Sequence, residues 1–243
     1  MRKHTVTRTL VCFTGLVVAA AVAQADLPVK ITASKTRNNW AAIKLLTKAE
    51  DQLKNDDIAG AKESVEAALR IDPTLWPALY TRARVRMHEG KYELAVRDAG
   101  EALRQYPPFV EAALLRAAAN EQLGRYAEAL KEINHCISIH PRRDAMGRAL
   151  RERAWLEAGC PDPTFRNGQQ AIKDATNACK LLLWQDEQSI AALAAAYAEV
   201  GDFDSAVRYA EQALATKGTS PAAAKGIQHD LALFKQHRPI RLR

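Results

Sequence analysis

Apolar residues return along this chain at the intervals of a helix, not at the alternation of a strand. Ala61, Val65, Ala68 and Leu69 share one face, and Leu130, Ile133, Cys136 and Ile137 share another. A longer period lies over the helical one. Pro73, Pro107 and Pro141 stand 34 residues apart, and so do Gly90 and Gly124. Each of those glycines opens a Gly-basic-Tyr triplet; Gly201-Asp202-Phe203 repeats it later, and Asp56-Asp57-Ile58 is a degenerate earlier copy. Segments laid in phase give columns of small residues: Ala49, Ala83, Ala117, Ala194; then Ala61, Ala95, Ala129, Ala206; then Ala68, Ala102, Cys136, Ala213. Each unit therefore reads as two helices joined by a tight turn at the glycine. The first two columns let paired helices approach closely, the third lets the second helix pack on the next unit, and the aromatic after the turn fills the hairpin end. Proline stops the second helix, because it lacks the donor N–H and clashes with the preceding turn.

These units resemble the tetratricopeptide repeat, over roughly Asn39 to Gly218. The resemblance implies an all-α, right-handed superhelical solenoid of antiparallel helix pairs, about eleven helices with no strands. Five units are expected, at 42–75, 76–109, 110–143, 144–186 and 187–220. The fourth departs from the pattern. It is nine residues longer, carries Glu152 where the others have alanine, and keeps the rhythm later in Ala171, Ala175 and Ala178. Its extra residues are placed in the run 160–168, where Pro161 and Pro163 oppose helix and a protruding loop is expected. This unit and the regular one after it resemble a recurrent bacterial variant best known from planctomycete-type genomes. A capping helix is expected over 221–237, with Ile227, Leu231 and Phe234 on one face, because the last unit of a solenoid otherwise exposes its core. Pro239 ends it, leaving a basic tail at 238–243.

In this family the first helix of each unit lines a concave groove. The residues expected to face it include Leu46, Glu50 and Leu53; Tyr80, Arg84 and His88; Leu114, Ala118 and Gln122; Ala149, Arg153 and Leu156; Ala191, Ala195 and Glu199. Tyr80, Arg84, His88, Leu114 and Arg153 are the candidate partner-binding residues, since the packing columns do not demand them and Tyr and Arg are enriched at binding hot spots. The competing account is that Arg84 and Arg153 pair with neighbouring carboxylates such as Glu121 or Glu157. Tetratricopeptide domains that hold chaperone tails use lysines and asparagines to grip a carboxylate; Leu46, Glu50, Tyr80 and Arg84 stand in comparable places here, so that ligand is not supported.

Composition then narrows the class. Apolar residues are 48% and aromatics 6%, which suits close-packed helices. At the N-terminus Arg2, Lys3 and Arg8 precede an apolar run from Leu10 to Ala23, and Ala23-Gln24-Ala25 offers a small-x-small cleavage site before Asp26. That is the layout of a secretory signal peptide over 1–25, with a flexible polar leader at 26–38. Export to the periplasm or beyond is then expected, with no membrane span left after cleavage; the alternative is an uncleaved anchor, for which the run is short against the roughly 20 apolar residues a span needs. Removing that segment lowers the balance from 35 basic against 28 acidic residues to 32 against 28, too mild for a nucleic-acid partner. The surviving Cys136, Cys160 and Cys179 form no disulfide framework, although Cys160 and Cys179 are near enough in sequence to leave one bridge open.

No phosphate loop, Gly-x-Ser-x-Gly elbow or His-Glu-x-x-His stretch is present. His135, Cys136 and His140 lie close together but lack a second cluster to complete a metal shell. No cofactor, metal or catalytic residue is therefore expected. The chain reads as a non-enzymatic adaptor that holds a protein or peptide in its groove. The alternative is a structural part of an envelope or secretion complex using its outer faces and the 160–168 loop.

Overall fold

The computed structural model describes residues 36–242, with side chains from Trp40 onward. The expected signal peptide and most of the expected leader lie outside these residues. Thr36, Arg37 and Asn38, expected in the leader, instead open the first helix, because no proline or glycine stops it there.

Eleven α-helices and no strand occur among the described residues. They are α1 (Thr36–Lys54), α2 (Ile58–Ile71), α3 (Trp76–His88), α4 (Tyr92–Gln105), α5 (Val110–Gln122), α6 (Tyr126–Ser138), α7 (Arg143–Gly159), α8 (Gly168–Leu181), α9 (Glu187–Glu199), α10 (Phe203–Leu214) and α11 (Pro221–Phe234). Consecutive helices pack as five hairpins, from α1–α2 to α9–α10. Odd-numbered helices also touch one another in series, α1 to α3 and onward to α9 and α11. They form a continuous inner layer, and α11 stands where a sixth first helix would.

The alanine columns explain this stacking. Ala61, Ala95, Ala129, Ala171 and Ala206 have no exposed surface, nor have Ala49 and Ala83 of the first column. A larger side chain at these crossings would push the helices apart. The hairpin turns need left-handed backbone, which glycine adopts without penalty: φ is +70° at Gly90, +73° at Gly124 and +83° at Gly201. In the degenerate first copy Asp56 takes that conformation, and Asp57 then caps α2 by accepting from the Gly60 N–H at 2.9 Å. Asn167, Asp186, Asp202 and Ser220 cap α8, α9, α10 and α11 in the same way.

The fourth unit keeps the architecture but not the expected register. Arg82 of α3 forks onto Asp98 of α4 with two bonds of 2.7 Å, and Arg116 of α5 reaches Glu132 of α6 at 2.7 Å; both pairs are 16 residues apart. Arg153 of α7 holds Asp174 of α8 the same way, at 2.6 and 3.0 Å, across 21 residues. The hairpin connection is thus five residues longer, 21 against 16. The small-residue column is filled by Ala154, fully buried, rather than by Glu152. The remaining extra residues lie outside the hairpin turn, where α7 runs 17 residues against 13 for α3 and α5.

The 160–168 run does not protrude freely. Cys160 is buried, Pro163–Phe165 form a short 3-10 turn, and Phe165 packs on Tyr126 with ring centroids 6.0 Å apart. Arg166 binds the Cys160 carbonyl at 2.9 Å and Glu199 at 3.0 Å. Pro163 fits because the first position of a helical turn needs no N–H. Cys136, Cys160 and Cys179 are all free, buried thiols.

Candidate functional site: the inner helix layer

Each inner helix presents the same helical stripe, so side chains of neighbouring units meet in rows. In the row nearest the N-terminal end, Arg84 of α3 donates to Glu50 of α1 at 2.5 Å, and the Thr81 hydroxyl donates to the same carboxylate. Farther along, Arg148 of α7 meets Glu111 of α5 at 2.8 Å. Arg151 of α7 is clamped between Glu152 at 2.7 Å and Asp186 at 3.0 Å, and is 2% exposed. Three ion pairs on this face therefore join adjacent units. Such pairs cost desolvation when formed, but losing one partner strands a buried charge.

The expected site residues fall into different roles. Tyr80 is 2% exposed; its ring meets Phe109 edge-on at 4.7 Å and lies under the Arg84 guanidinium at 5.9 Å. Its hydroxyl has no hydrogen-bond partner, and burial raises its pKa beyond the ordinary phenol value. Arg84, 4% exposed, is equally part of the packing. Both residues form the floor of the inner face rather than its open surface. Leu114 is buried beside Val110 and Ala117 in the third-unit core. His88 stands half-exposed at the end of α3, where burial and then the Arg84 charge lower its pKa.

Arg153 does not face the inner layer. It is turned toward its own hairpin partner α8, bonding Asp174, and reaches Asn134 of α6 at 2.8 Å. By the register of the arginine–acid pairs, Arg151 and Trp155 take the inner positions that Tyr80 and Arg84 occupy in the second unit. Sequence reasoning missed Arg151 because Glu152 was placed in the alanine column. The signal that finds it is the triad Arg82, Arg116 and Arg153, each directly before a buried alanine (Ala83, Ala117, Ala154). Both arginines expected at the groove do pair with carboxylates, but with Glu50 and Asp174 instead of Glu121 and Glu157.

Two carboxyl groups near this face are strongly perturbed. Burial, and then the Glu152 charge, hold the Glu121 pKa well above the usual carboxylate range. Burial pushes Glu157 up to about 7; Asp174 adds to the effect and Arg153 opposes it. For Asp186 burial acts upward, but Arg151 and the Ser189 hydroxyl and amide outweigh it, and its pKa is lowered. Among the described residues, no three His, Cys, Asp or Glu side chains converge to hold a metal ion, and Cys136 points into the core while His135 is exposed. No helix among them is long and apolar enough to cross a membrane.

One further row runs along the last residues of the inner helices: His88, Gln122, Gly159 and Glu199. Over its far half lies the segment that follows α11. The Leu242 N–H donates to the Gly159 carbonyl at 2.7 Å, Arg241 reaches Glu199 at 2.7 Å, and Ile240 is buried.

Comparison with known proteins agrees with this geometry. Residues 80–134 match the sequence profile of the tetratricopeptide repeat. The fold superposes on the APC/C hetero-tetramer Cut9–Hcn1 with a TM-score of 0.70 and 19% identity, covering 84% of this chain and 38% of that one. It superposes on TTC0263, a thermophilic tetratricopeptide-repeat protein of Thermus thermophilus, with a TM-score of 0.67 and 18% identity over 81% of this chain and all of that one. YrrB, described as a tetratricopeptide-repeat protein with an unusual peptide-binding site, aligns at 14% identity and a TM-score of 0.50 over 77% of this chain and 92% of its own. At these identities the likeness speaks for the fold. The profile match lies inside two consecutive helix pairs and the same stacking continues on either side, so the chain has the tetratricopeptide-repeat solenoid fold, with the repeat's own sequence pattern over residues 80–134.

Proposed function

We propose that this chain is an exported, non-catalytic adaptor that holds an extended segment of a protein partner against its inner helix layer. The fold itself is typically a scaffold for protein–protein interaction. The single observation that carries the finer reading is the continuity of the inner layer. α1, α3, α5, α7 and α9 touch in series, and the ion pairs Glu50–Arg84, Glu111–Arg148 and Arg151–Asp186 join adjacent units. A face locked in this way is pre-organised, so binding does not have to order it. Tyr80, Arg84 and Leu114 act in this reading as the supporting floor, and His88 and Gln122 as accessible contacts. Arg153 positions the fourth hairpin. Export is read from the basic start, the Leu10–Ala23 apolar run and the Ala23-Gln24-Ala25 site.

The test is affinity capture from envelope fractions, comparing the unaltered chain with a His88→Glu/Gln122→Glu variant. Both side chains are half-exposed, so helicity and melting should persist while capture falls at least fivefold. Undiminished capture would move the site to the outer faces and favour the assembly-component reading.

A further inference from the structure

The segment after α11 is seated as a bound peptide would be. α11 closes in a turn at Lys235–His237, with the His237 ring lying flat on Phe203 at 5.1 Å. Beyond Pro239 the chain leaves helix and crosses the ends of α9 and α7. Three features hold it. Ile240 is 5% exposed and joins the C-terminal core cluster, with Leu242 packed against that cluster. The Leu242 amide donates to the Gly159 carbonyl at 2.7 Å. Arg241 meets Glu199 at 2.7 Å, from a side chain that is 38% exposed. Glu199 also takes Arg166 of the inserted loop, at 3.0 Å. Gly159 is what lets the segment come so near: a Cβ there would stand 3.0 Å from Leu242 Cγ and 3.2 Å from Ile240 Cδ1.

Gly159 ends α7 as His88 ends α3 and Gln122 ends α5. The seat is therefore one end of a row that continues toward the N-terminal units, where His88 and Gln122 are half-exposed among the described residues. Its chemistry is readable from what occupies it: two apolar side chains flank one cation, which an acidic residue receives, and one amide is received by a helix-end carbonyl.

Resting on the interaction-module reading, we propose that Gly159 and Glu199 mark a subsite for an extended partner segment of the pattern apolar–basic–apolar. Ile240–Leu242 is its built-in competitor. The segment fills the subsite in cis and leaves when a partner segment of the same chemistry extends along the row toward Gln122 and His88. Because the cis segment is tethered, it is present at high effective concentration and reduces the apparent affinity by the fraction of time the seat is open.

The probe is a labelled peptide of residues 237–243, its binding to the full chain followed by fluorescence anisotropy. An Ile240→Asp/Leu242→Asp chain should bind it at least tenfold more tightly than the unaltered chain. Adding Glu199→Gln should weaken that binding severalfold, and a peptide with Glu in place of its Arg241 should not bind. A folded double variant that ignores the peptide, or an unaltered chain that binds it equally well, overturns the proposal. Should the double variant lose its fold, amide exchange of Leu242 in the unaltered chain decides. Exchange well before the α9 core amides supports a displaceable segment, and exchange only with global unfolding makes it a fixed part of the core. Capture of a partner that is indifferent to Ile240→Asp/Leu242→Asp removes this subsite and leaves the module reading standing. Peptide binding without any captured partner does the reverse.

Discussion

Arg84 offers the sharpest separation between a ligand contact and a structural residue. It is 4% exposed, and its guanidinium reaches Glu50, itself 8% exposed, at 2.5 Å. Replacing it by methionine keeps most of the volume but leaves the Glu50 carboxylate with only the Thr81 hydroxyl. An uncompensated buried charge of this kind costs about 3 kcal/mol, a melting drop on the order of 10 °C for a chain of this size. Glu50→Leu should cost about as much, since it strands the guanidinium. The double variant Glu50→Leu/Arg84→Met removes both charges and should recover most of the loss, because a well-packed apolar pair replaces a buried ion pair at little cost. The coupling between the two sites should then exceed about 2 kcal/mol. Urea unfolding followed by far-UV circular dichroism measures all four corners of the cycle. Stacked units can melt in parts, so midpoints and slopes are compared together. An Arg84→Met chain with an unchanged midpoint but lost partner capture would refute the reasoning and return Arg84 to the binding surface.

Three further outcomes follow from the packing and the charges. Ala95→Leu, Ala129→Leu and Ala154→Leu should each destabilise by about 1–3 kcal/mol, since all three are fully buried at helix crossings; an unchanged melt for Ala154→Leu alone would undo the register assigned to the fourth unit. The Glu157 pKa of about 7 lies above the ordinary carboxylate value, so the folded chain keeps a proton that the unfolded chain releases. Stability from this group is therefore full below the ordinary carboxylate range and is lost as pH rises through 7. Glu157→Gln should raise stability by an amount on the order of 2 kcal/mol at about pH 8 and change little at about pH 4, in unfolding midpoints taken at both. Finally, Edman sequencing of the mature exported protein should begin at Asp26, and a product retaining Leu10 to Ala23 would contradict cleavage.

The fold was legible because its requirements are local and periodic. A turn needs left-handed backbone, a crossing needs a small side chain and a helix end tolerates proline, and each leaves a residue at a fixed interval. The fourth unit was harder because its insertion separates the two helices, so phase cannot be carried from Ala171 back to the first helix. The bond from Arg153 to Asp174 restores it. The inner face was least legible. Spacing places Tyr80 and Arg84 on the right stripe, but not Glu50 across from Arg84, because that contact joins residues 34 positions apart through the stacking itself. The segment at 239–242 read as a basic tail because charge is visible in a sequence. The absence of a Cβ at Gly159, on which the seat depends, gains meaning only beside Ile240 and Leu242.

The central claim is that a partner lies along the inner helix ends, and site-specific photocrosslinking in the producing cell tests it most directly. A photoreactive residue is placed singly at His88 or Gln122, and singly at Ile71 or Ile139, which are exposed at the far ends of second helices. The account predicts a discrete adduct from His88 and Gln122 and none from Ile71 and Ile139. Adducts confined to Ile71 and Ile139 would contradict it.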